Sequence, residues 1–367
     1  MNYPEQTQQD FARLINIRAI LENEGINVIT LSNKTWGDYR KKTAILKNPF
    51  LLIKSIPEYL KYLNQIKKTL NNNNYDKIIV GYPAYIEAFY LKSFFRRKKI
   101  LNKVFIDFFI SIYDTLVLDR KYFKRNFIFK FVIYQVEKCM LRKYNNVIID
   151  TYANANRYSK LFNIDINKFS RIIVSSSLLN TKIDFPTNDL KDDSKTNIGW
   201  VGSIIPLHGV EKIIQTAKLL DEKKYLFHLI GNGPKNEIDN LIIFAKKLGV
   251  RNVTFYGKLP YEESMKLLSK CDLLLGIFGD SEKAKSVISF KIFDYICLGK
   301  PVITQKSNAL NELGLFEDIL QVESNPSSIT NAIVNFKFNI KPTIGNNRIK
   351  IEKLLVSDLN KIIMNNE

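Results

Sequence analysis

From residue 196 onward, short apolar runs rich in β-forming residues return at regular intervals. They are NIGWV (197–201), YLFHLI (225–230), VTFY (253–256), DLLLGI (272–277), PVIT (301–304) and ILQV (319–322), with helical patterns between them. A strand that is apolar on both faces must be covered on both, and helices connecting successive strands supply that cover. The pattern predicts a parallel sheet in a doubly wound α/β domain. Such sheets bind ligands beyond the carboxyl ends of their strands, so function is sought in the residues that follow each run.

A looser version of the same alternation precedes it, with runs at NVITLS (27–32), KIIV (77–80), KVFID (103–107), NVIID (146–150) and RIIV (171–174). Residues 175–195 are polar, broken by Pro186 and without apolar periodicity, which predicts a linker. With 367 residues the chain can bury two cores. We therefore expect two Rossmann-like domains, over 1–178 and 179–340, and a helical tail over 341–367 that packs back toward the first. No repeat of fixed period is present, and Asn71–Asn74 is a low-complexity loop ahead of a strand.

Charge divides the halves. Residues 1–180 hold 30 Lys+Arg against 14 Asp+Glu, a net +16, whereas 181–367 hold 25 against 22, a net +3. The first half is expected to meet an anionic partner. Cys139, Cys271 and Cys297 have no paired spacing, which argues against a zinc site or a disulfide framework and for a reducing, cytoplasmic setting. The opening residues lack a signal-peptide pattern, and apolar stretches such as FIFKFVIYQV (127–136) are too short and too interrupted by charge to span a bilayer.

Four segments carry candidate chemistry. In WVGSIIPLHGVEKIIQTAKLL (200–220) a strand ends at Gly202-Ser203 and a helix begins near His208-Gly209, where unpaired N–H groups would face a diphosphate. His208 is either a phosphate contact or an exposed residue at a helix start. Gly231 and Gly233, followed by Pro234, make a sharp turn after the second strand, while His228 inside that strand reads as a buried structural residue. Gly257-Lys258 ends the third run in a turn. In DLLLGIFGDSEKAKSVISFKIFDYICLGKPVIT (272–304), Lys291 and Asp294 are three apart and share a helix face. They suit a phosphate and the two hydroxyls of a ribose, or else form a surface pair contributing about 0.2–0.5 kcal/mol. All four segments fall at the C-terminal ends of strands in one sheet, which favours the ligand reading.

Taken together these residues resemble the nucleotide-sugar half of GT-B glycosyltransferases, in particular the retaining family 4, the group 1 glycosyltransferases. The counterparts are Gly202 with His208-Gly209, Gly231 with Gly233-Pro234, Phe255 with Gly257, and Asp294 with Gly299-Lys300-Pro301-Val302. The resemblance is good over 196–336 and loose elsewhere. It implies a GT-B fold, two Rossmann-like doubly wound domains facing a cleft, and a glycosyltransferase that needs no metal or other cofactor beyond its nucleotide-sugar donor. Gly202, Ser203, His208, Gly209, Gly231, Gly233, Gly257, Lys258, Ser286, Val287, Ile288, Lys291 and Asp294 would line the donor site. Lys291, with Glu282 or Ser286 at the sugar, would serve transfer.

Departures from the family pattern are specific. Ser286 stands eight residues before Asp294, where that family has a glutamate, and Ser203 and His208 replace its usual cations. Lys283, Lys285 and Lys291 are the local substitutes. The chain also enters a helical pattern almost at once, so the first strand and its glycine loop are expected to be reduced or absent.

The acceptor is expected at the basic N-terminal domain. Asp107 and Asp114, at and beyond the end of a strand, could take a hydrogen bond from an acceptor hydroxyl; Asp107 could equally cap the following segment. Lys92, Arg96, Lys99 and Lys103 lie at i, i+4, i+7 and i+11 among Phe89, Tyr90, Phe94 and Phe95. That is one face of a helix, suited either to an anionic membrane surface or to water over a packed core. The first alternative fits a lipid-linked glycan acceptor and a peripheral place on the inner face of the cell membrane. Nothing resembles a nucleic-acid-binding module. A sugar-nucleotide epimerase and a noncatalytic glycosyltransferase-like subunit are the competing readings.

Overall fold

The structure, a computed structural model, describes residues 12–31, 49–72, 74–83, 85–95, 99–121, 123, 125–180, 195–233, 235–314, 318–336 and 344–364. They build two parallel sheets. The first contains β1 (Ile78–Val80), β2 (Val104–Asp107), β3 (Asn146–Ile149) and β4 (Phe169–Arg171), in the order β1-β2-β3-β4. The second contains β5 (Thr196–Ser203), β6 (Tyr225–Asn232), β7 (Val253–Gly257), β8 (Leu273–Leu275), β9 (Val302–Gln305) and β10 (Ile319–Val322).

The second sheet runs β10-β9-β8-β5-β6-β7, all parallel. Central strands β8 and β9 are buried at every position, whereas β7 and β10, at the edges, are partly exposed. Continuous apolar runs thus mark the middle of the sheet, as two-sided cover requires. The helix Tyr261–Ser269 packs closely enough that a Cβ on Gly199 of β5 would sit 2.7 Å from Leu268 Cδ2. Glycine at that position sets the depth of the contact.

In the first sheet the helices Tyr85–Phe94, Phe127–Lys143 and Tyr152–Phe162 fill the connections. Two expectations shift here. Residues 27–31 are not in a strand, and Ser32 lies outside the described residues; the fourth strand is Phe169–Arg171, with 172–174 extended beyond it. The basic face drawn across 92–103 is not one helix. Its helix ends at Phe94, Lys99–Lys103 is a 3-10 turn, and Lys103 Nζ turns to Tyr75 O (2.8 Å) and Asn74 Oδ1 (3.2 Å). Arg96 and residues 181–194 of the expected linker lie outside the described residues.

Buried polar side chains tie the elements together. Arg13, on the helix Ala12–Asn23, donates to Asp107 Oδ1 at 3.0 Å and to the carbonyls of Ile149 and Ile172. The helix Ile344–Met364 is fixed to β4 by Asp358, which accepts two hydrogen bonds from Arg171 Nε and one from Nη2 and also the Ile173 N–H. Contacts between the two sheets' domains are also polar. Glu312 accepts the N–H groups of Tyr152 and Ala153 (2.7 and 2.6 Å), so a carboxylate of one domain caps a helix of the other.

Asp358 is fully buried, so Asp358→Ala should leave the Arg171 guanidinium with only Glu312, 3.5 Å away. A loss of about 3–5 kcal/mol in urea unfolding is expected. Replacing both partners, Arg171→Met with Asp358→Leu, should cost clearly less than the single change, because no buried charge is then left alone.

Candidate functional site

β5 is the switch point of its sheet. The chain adds β6 and β7 on one side of it and then returns to place β8 on the other. Connections leave these strands in opposite directions, which is where folds of this kind open a crevice. Gly202 lies there. A Cβ on it would sit 2.6 Å from Lys291 Nζ and 3.0 Å from both His208 Nδ1 and Trp200 Cζ2, so an amine, an imidazole and an indole converge on the space a side chain would fill.

Lys291 is in the first turn of the helix Phe290–Cys297 and only 5% exposed. Its Nζ has no hydrogen-bond partner among the described residues and lies 4.4 Å from the centroid of Trp200, whose Nε1 donates to Gly276 O. Burial holds its pKa well below the usual lysine value. His208 ends the short turn Pro206–His208, with Nδ1 2.5 Å from Ser203 O. A carbonyl can only accept, so Nδ1 carries the proton. Burial first, and then the charge of Lys291, pull the imidazole well below its ordinary pKa, leaving a neutral ring. Arg120, which follows the π-helix Tyr113–Asp119 of the N-terminal domain, acts on it in the same sense.

The turn is locked from both sides. Gly209 has φ +60°, and a Cβ there would meet Phe278 O at 2.4 Å; one on Gly279 would meet Leu207 O at the same distance. Phe278 N–H donates to His208 O at 3.0 Å. The loops after β5 and β8 therefore pack backbone to backbone, and the N-terminus of the helix Val210–Leu219 is held at the crevice. A buried amine without a hydrogen-bond partner among the described residues, beside a glycine turn and helix starts, is an arrangement suited to an anion.

Asp294 is not half of a surface pair with Lys291. Both are buried, and Asp294 Oδ1 accepts from Ser176 Oγ (2.5 Å) and Tyr261 OH (2.8 Å). Burial raises its pKa to about 6 despite those two bonds. Gly231 and Gly233 pack against Ile204 of the neighbouring turn; Pro234 lies outside the described residues. Gly257 has φ +67°, and Lys258 is exposed beyond the outermost strand β7. Ile288 is buried in the core and Val287 half-buried. His228 is buried between Asn197 Oδ1 (3.0 Å) and Tyr256 OH (2.9 Å), the structural residue its position in the strand predicts.

Other candidates are already engaged. Glu282 pairs with Lys285 in an exposed contact, and Ser286 Oγ donates back to Glu282 O while Ser286 O accepts from Thr151 Oγ1. Lys283 crosses to the N-terminal domain, donating to Thr115 Oγ1 (2.7 Å) and pairing with Asp114 Oδ2 (3.3 Å). Of the three lysines that could replace the missing cations, Lys291 is the unpartnered one. Asp107 is buried under Arg13, not presented as an open carboxylate. Asp114 is held by Arg157 through 2.5 and 2.7 Å bonds; burial opposes its ionisation, but Arg157 and Lys283 outweigh burial and lower its pKa. No group of three or more metal-ligating side chains occurs among the described residues. The sequence reading passed over Trp200, Ser176 and Tyr261, because no local motif marks a side chain that matters only through its neighbours.

The fold, two α/β domains built on parallel sheets, matches that of GT-B glycosyltransferase structures. Residues 195–336 match the family described as Glycosyl transferases group 1, so that part is a glycosyltransferase-family domain. Similar solved structures include sucrose-phosphate synthase from Thermosynechococcus elongatus, at 14% identity, covering 85% of this chain and 77% of that one with a TM-score of 0.60. HepE from Anabaena in complex with UDP has 15% identity, coverage of 96% and 94%, and a TM-score of 0.59. The apo lipopolysaccharide outer core galactosyltransferase WaaB has 12% identity, coverage of 84% and 81%, and a TM-score of 0.53. Likeness at these identities is likeness of fold. No curated protein sequence matches the chain.

Asp294 gives a pH test. Its folded pKa, about 6, exceeds the ordinary 3.8, so the folded state holds a proton that the unfolded state has lost between those values. Stability from this group is present below pH 4 and is lost as pH rises to 6. Asp294→Asn should therefore be more stable than the parent at pH 7.5, by of order 2–3 kcal/mol, with the gap closing toward pH 4. Urea unfolding at the two pH values measures it.

Proposed function

We propose that the chain transfers a sugar, with retention of configuration, from a nucleoside diphosphate sugar to a glycan carried on a lipid. The C-terminal domain, 179–340, would bind the donor and the N-terminal domain, 1–178, the acceptor, with the tail 341–367 bracing the two. The observation that carries this reading is Lys291, a buried amine without a hydrogen-bond partner among the described residues, beside Gly202. Its ammonium would take a phosphate oxygen of the donor, and helix N–H groups after Gly209 and Ser289 would take others. An arriving anion favours the protonated forms of both Lys291 and His208 and so reverses what depresses them.

Charge on the departing diphosphate is the main obstacle to transfer, and a preorganised cation lowers that barrier where it grows. In a same-face transfer the leaving phosphate can take the acceptor's proton, so no dedicated protein base is required. Ser286, where the resembling family has a glutamate, supports a sugar contact made by a hydroxyl rather than a carboxylate. Asp294 would hold the ribose through the oxygen left over from Ser176 and Tyr261. UDP sugars are the first donors to test, because HepE, a neighbour in fold, is seen with UDP-glucose.

Two measurements test the proposal. Lys291→Ala should lower turnover of the productive UDP sugar by about a hundredfold or more. Lys291→Met should leave the unliganded protein at least as stable as the parent, since it removes a buried charge. Unchanged turnover in the first variant would sink the assignment. With Lys291 in the cation's role, release of nucleoside diphosphate should persist in excess EDTA. Ser286 also favours a second reading, a noncatalytic nucleotide-binding subunit; nucleotide binding without any release of diphosphate from donor and acceptor would select it.

A further inference from the structure

The helix Phe127–Lys143 turns one face into the N-terminal core, burying Glu137, Met140 and Leu141. Its opposite face is mostly apolar and exposed, with Gln135 as its polar member. Phe127 is 77% exposed, Ile128 75%, and Phe131, Val132 and Val136 are exposed too. At 100° per residue these five side chains form a single stripe that runs on to Arg142 and Lys143, both exposed. Exposed Lys121 and Arg125 lie ahead of the helix. Between residues 120 and 145 the sequence carries eight basic side chains and one acidic one, Glu137, which is buried.

We propose that this face lies in the interface of an anionic lipid bilayer, with the apolar stripe among the acyl chains and the cations at either end against lipid phosphates. A contiguous aromatic and branched stripe bounded by cations and lacking exposed acid is the composition of a helix lying flat in a membrane surface. Pairing with a second copy fits it less well. Two such helices packed antiparallel would set Arg125 of each against Arg142 and Lys143 of the other, with no acid on either stripe to neutralise them.

The helix also braces the cleft. Glu137, on its buried face, accepts from Ser111 Oγ (2.6 Å), Tyr85 OH (2.5 Å) and the N–H groups of Ile112 and Tyr113. It thereby fixes the start of the π-helix Tyr113–Asp119, whose Asp114 and Thr115 receive Lys283 of the donor domain. A bilayer on the outer face would lie next to the wall of the crevice, where a lipid-linked acceptor has to enter. In naming where the acceptor's carrier sits, the proposal rests on the reading above, but the binding is measured without turnover.

Flotation with vesicles of phosphatidylglycerol and phosphatidylcholine, and of phosphatidylcholine alone, at low and high salt tests it. The parent protein should float with the anionic vesicles at low salt and not with the neutral ones. Phe127→Ser with Ile128→Ser should weaken that binding about tenfold or more, with the melting temperature unchanged because both side chains are exposed. Arg142→Gln and Lys143→Gln should each cost about fivefold at low salt and little at high salt. Absence of parental binding to the anionic vesicles overturns the proposal. So does an unaffected Phe127/Ile128 variant, or a parental dimer that the same variant turns into monomers without vesicle binding. Vesicle binding by a protein that turns over no donor would leave the membrane face standing and remove the transfer reading alone.

Discussion

The structure is organised around a buried amine that has no hydrogen-bond partner among the described residues. Lys291 is packed against the face of Trp200 with its Nζ directed at Gly202 and no acceptor among the described residues. Such an amine opposes folding, since burial disfavours its charged form. It persists because everything around it is fixed: Trp200 by Gly276 O, His208 by Ser203 O, and the two loops by glycines that meet backbone to backbone. On the proposed reading, local rigidity converts an unfavourable burial into a preformed site that would gain when an anion arrives.

A second constraint is that the two domains meet through polar contacts that must all be satisfied at once. Thr151 reaches Ser286 O, Glu312 caps the helix Tyr152–Phe162, Ser176 reaches Asp294, and Lys283 enters between Asp114 and Thr115. Each is directional, and Asp114 would be left to Arg157 and the Tyr158 hydroxyl if Lys283 withdrew. Burial of Phe109 against Phe290, 5.7 Å between ring centroids, adds an apolar contact at the same junction. Residues that hold the domains together thus alternate along the chain with the candidate anion site: Lys283, Ser286 and Asp294 join, and Lys291 lies among them without a hydrogen-bond partner among the described residues.

How much of this was legible in the sequence follows from the range of each interaction. The second sheet was legible because its strands must be apolar on both faces, a local property of runs such as DLLLGI. Gly202, His208, Gly209 and Lys291 were legible as turn and helix-start residues, and the structure brings them together. Partners were not. Nothing near Lys283 says that it serves Asp114, 169 residues earlier, or that Lys285 is spent on Glu282, so three candidate cations looked equal until the fold separated them. Asp107 looked like an open carboxylate at a strand end because Arg13, its partner, is 94 residues away. The basic face drawn across 92–103 failed for a local reason, since the helix stops at Phe94.

The net charge of the first half is likewise not one patch. Arg13, Arg157 and Arg171 are spent inside, on Asp107, Asp114, Asp358 and backbone carbonyls. Lys103 is turned onto the carbonyl of Tyr75, and Lys168 onto those of Arg142 and Tyr144, where it closes the end of the helix Phe127–Lys143. Cations used this way balance buried acids and unpaired carbonyls and say nothing about partners. What remains for an external anion is the part no internal acceptor claims, and in the stretch from Lys121 to Lys143 the one acid is turned inward to hold Ser111 and Tyr85. Uneven charge along a sequence becomes an argument about binding only after the structure has subtracted the cations that folding itself consumes.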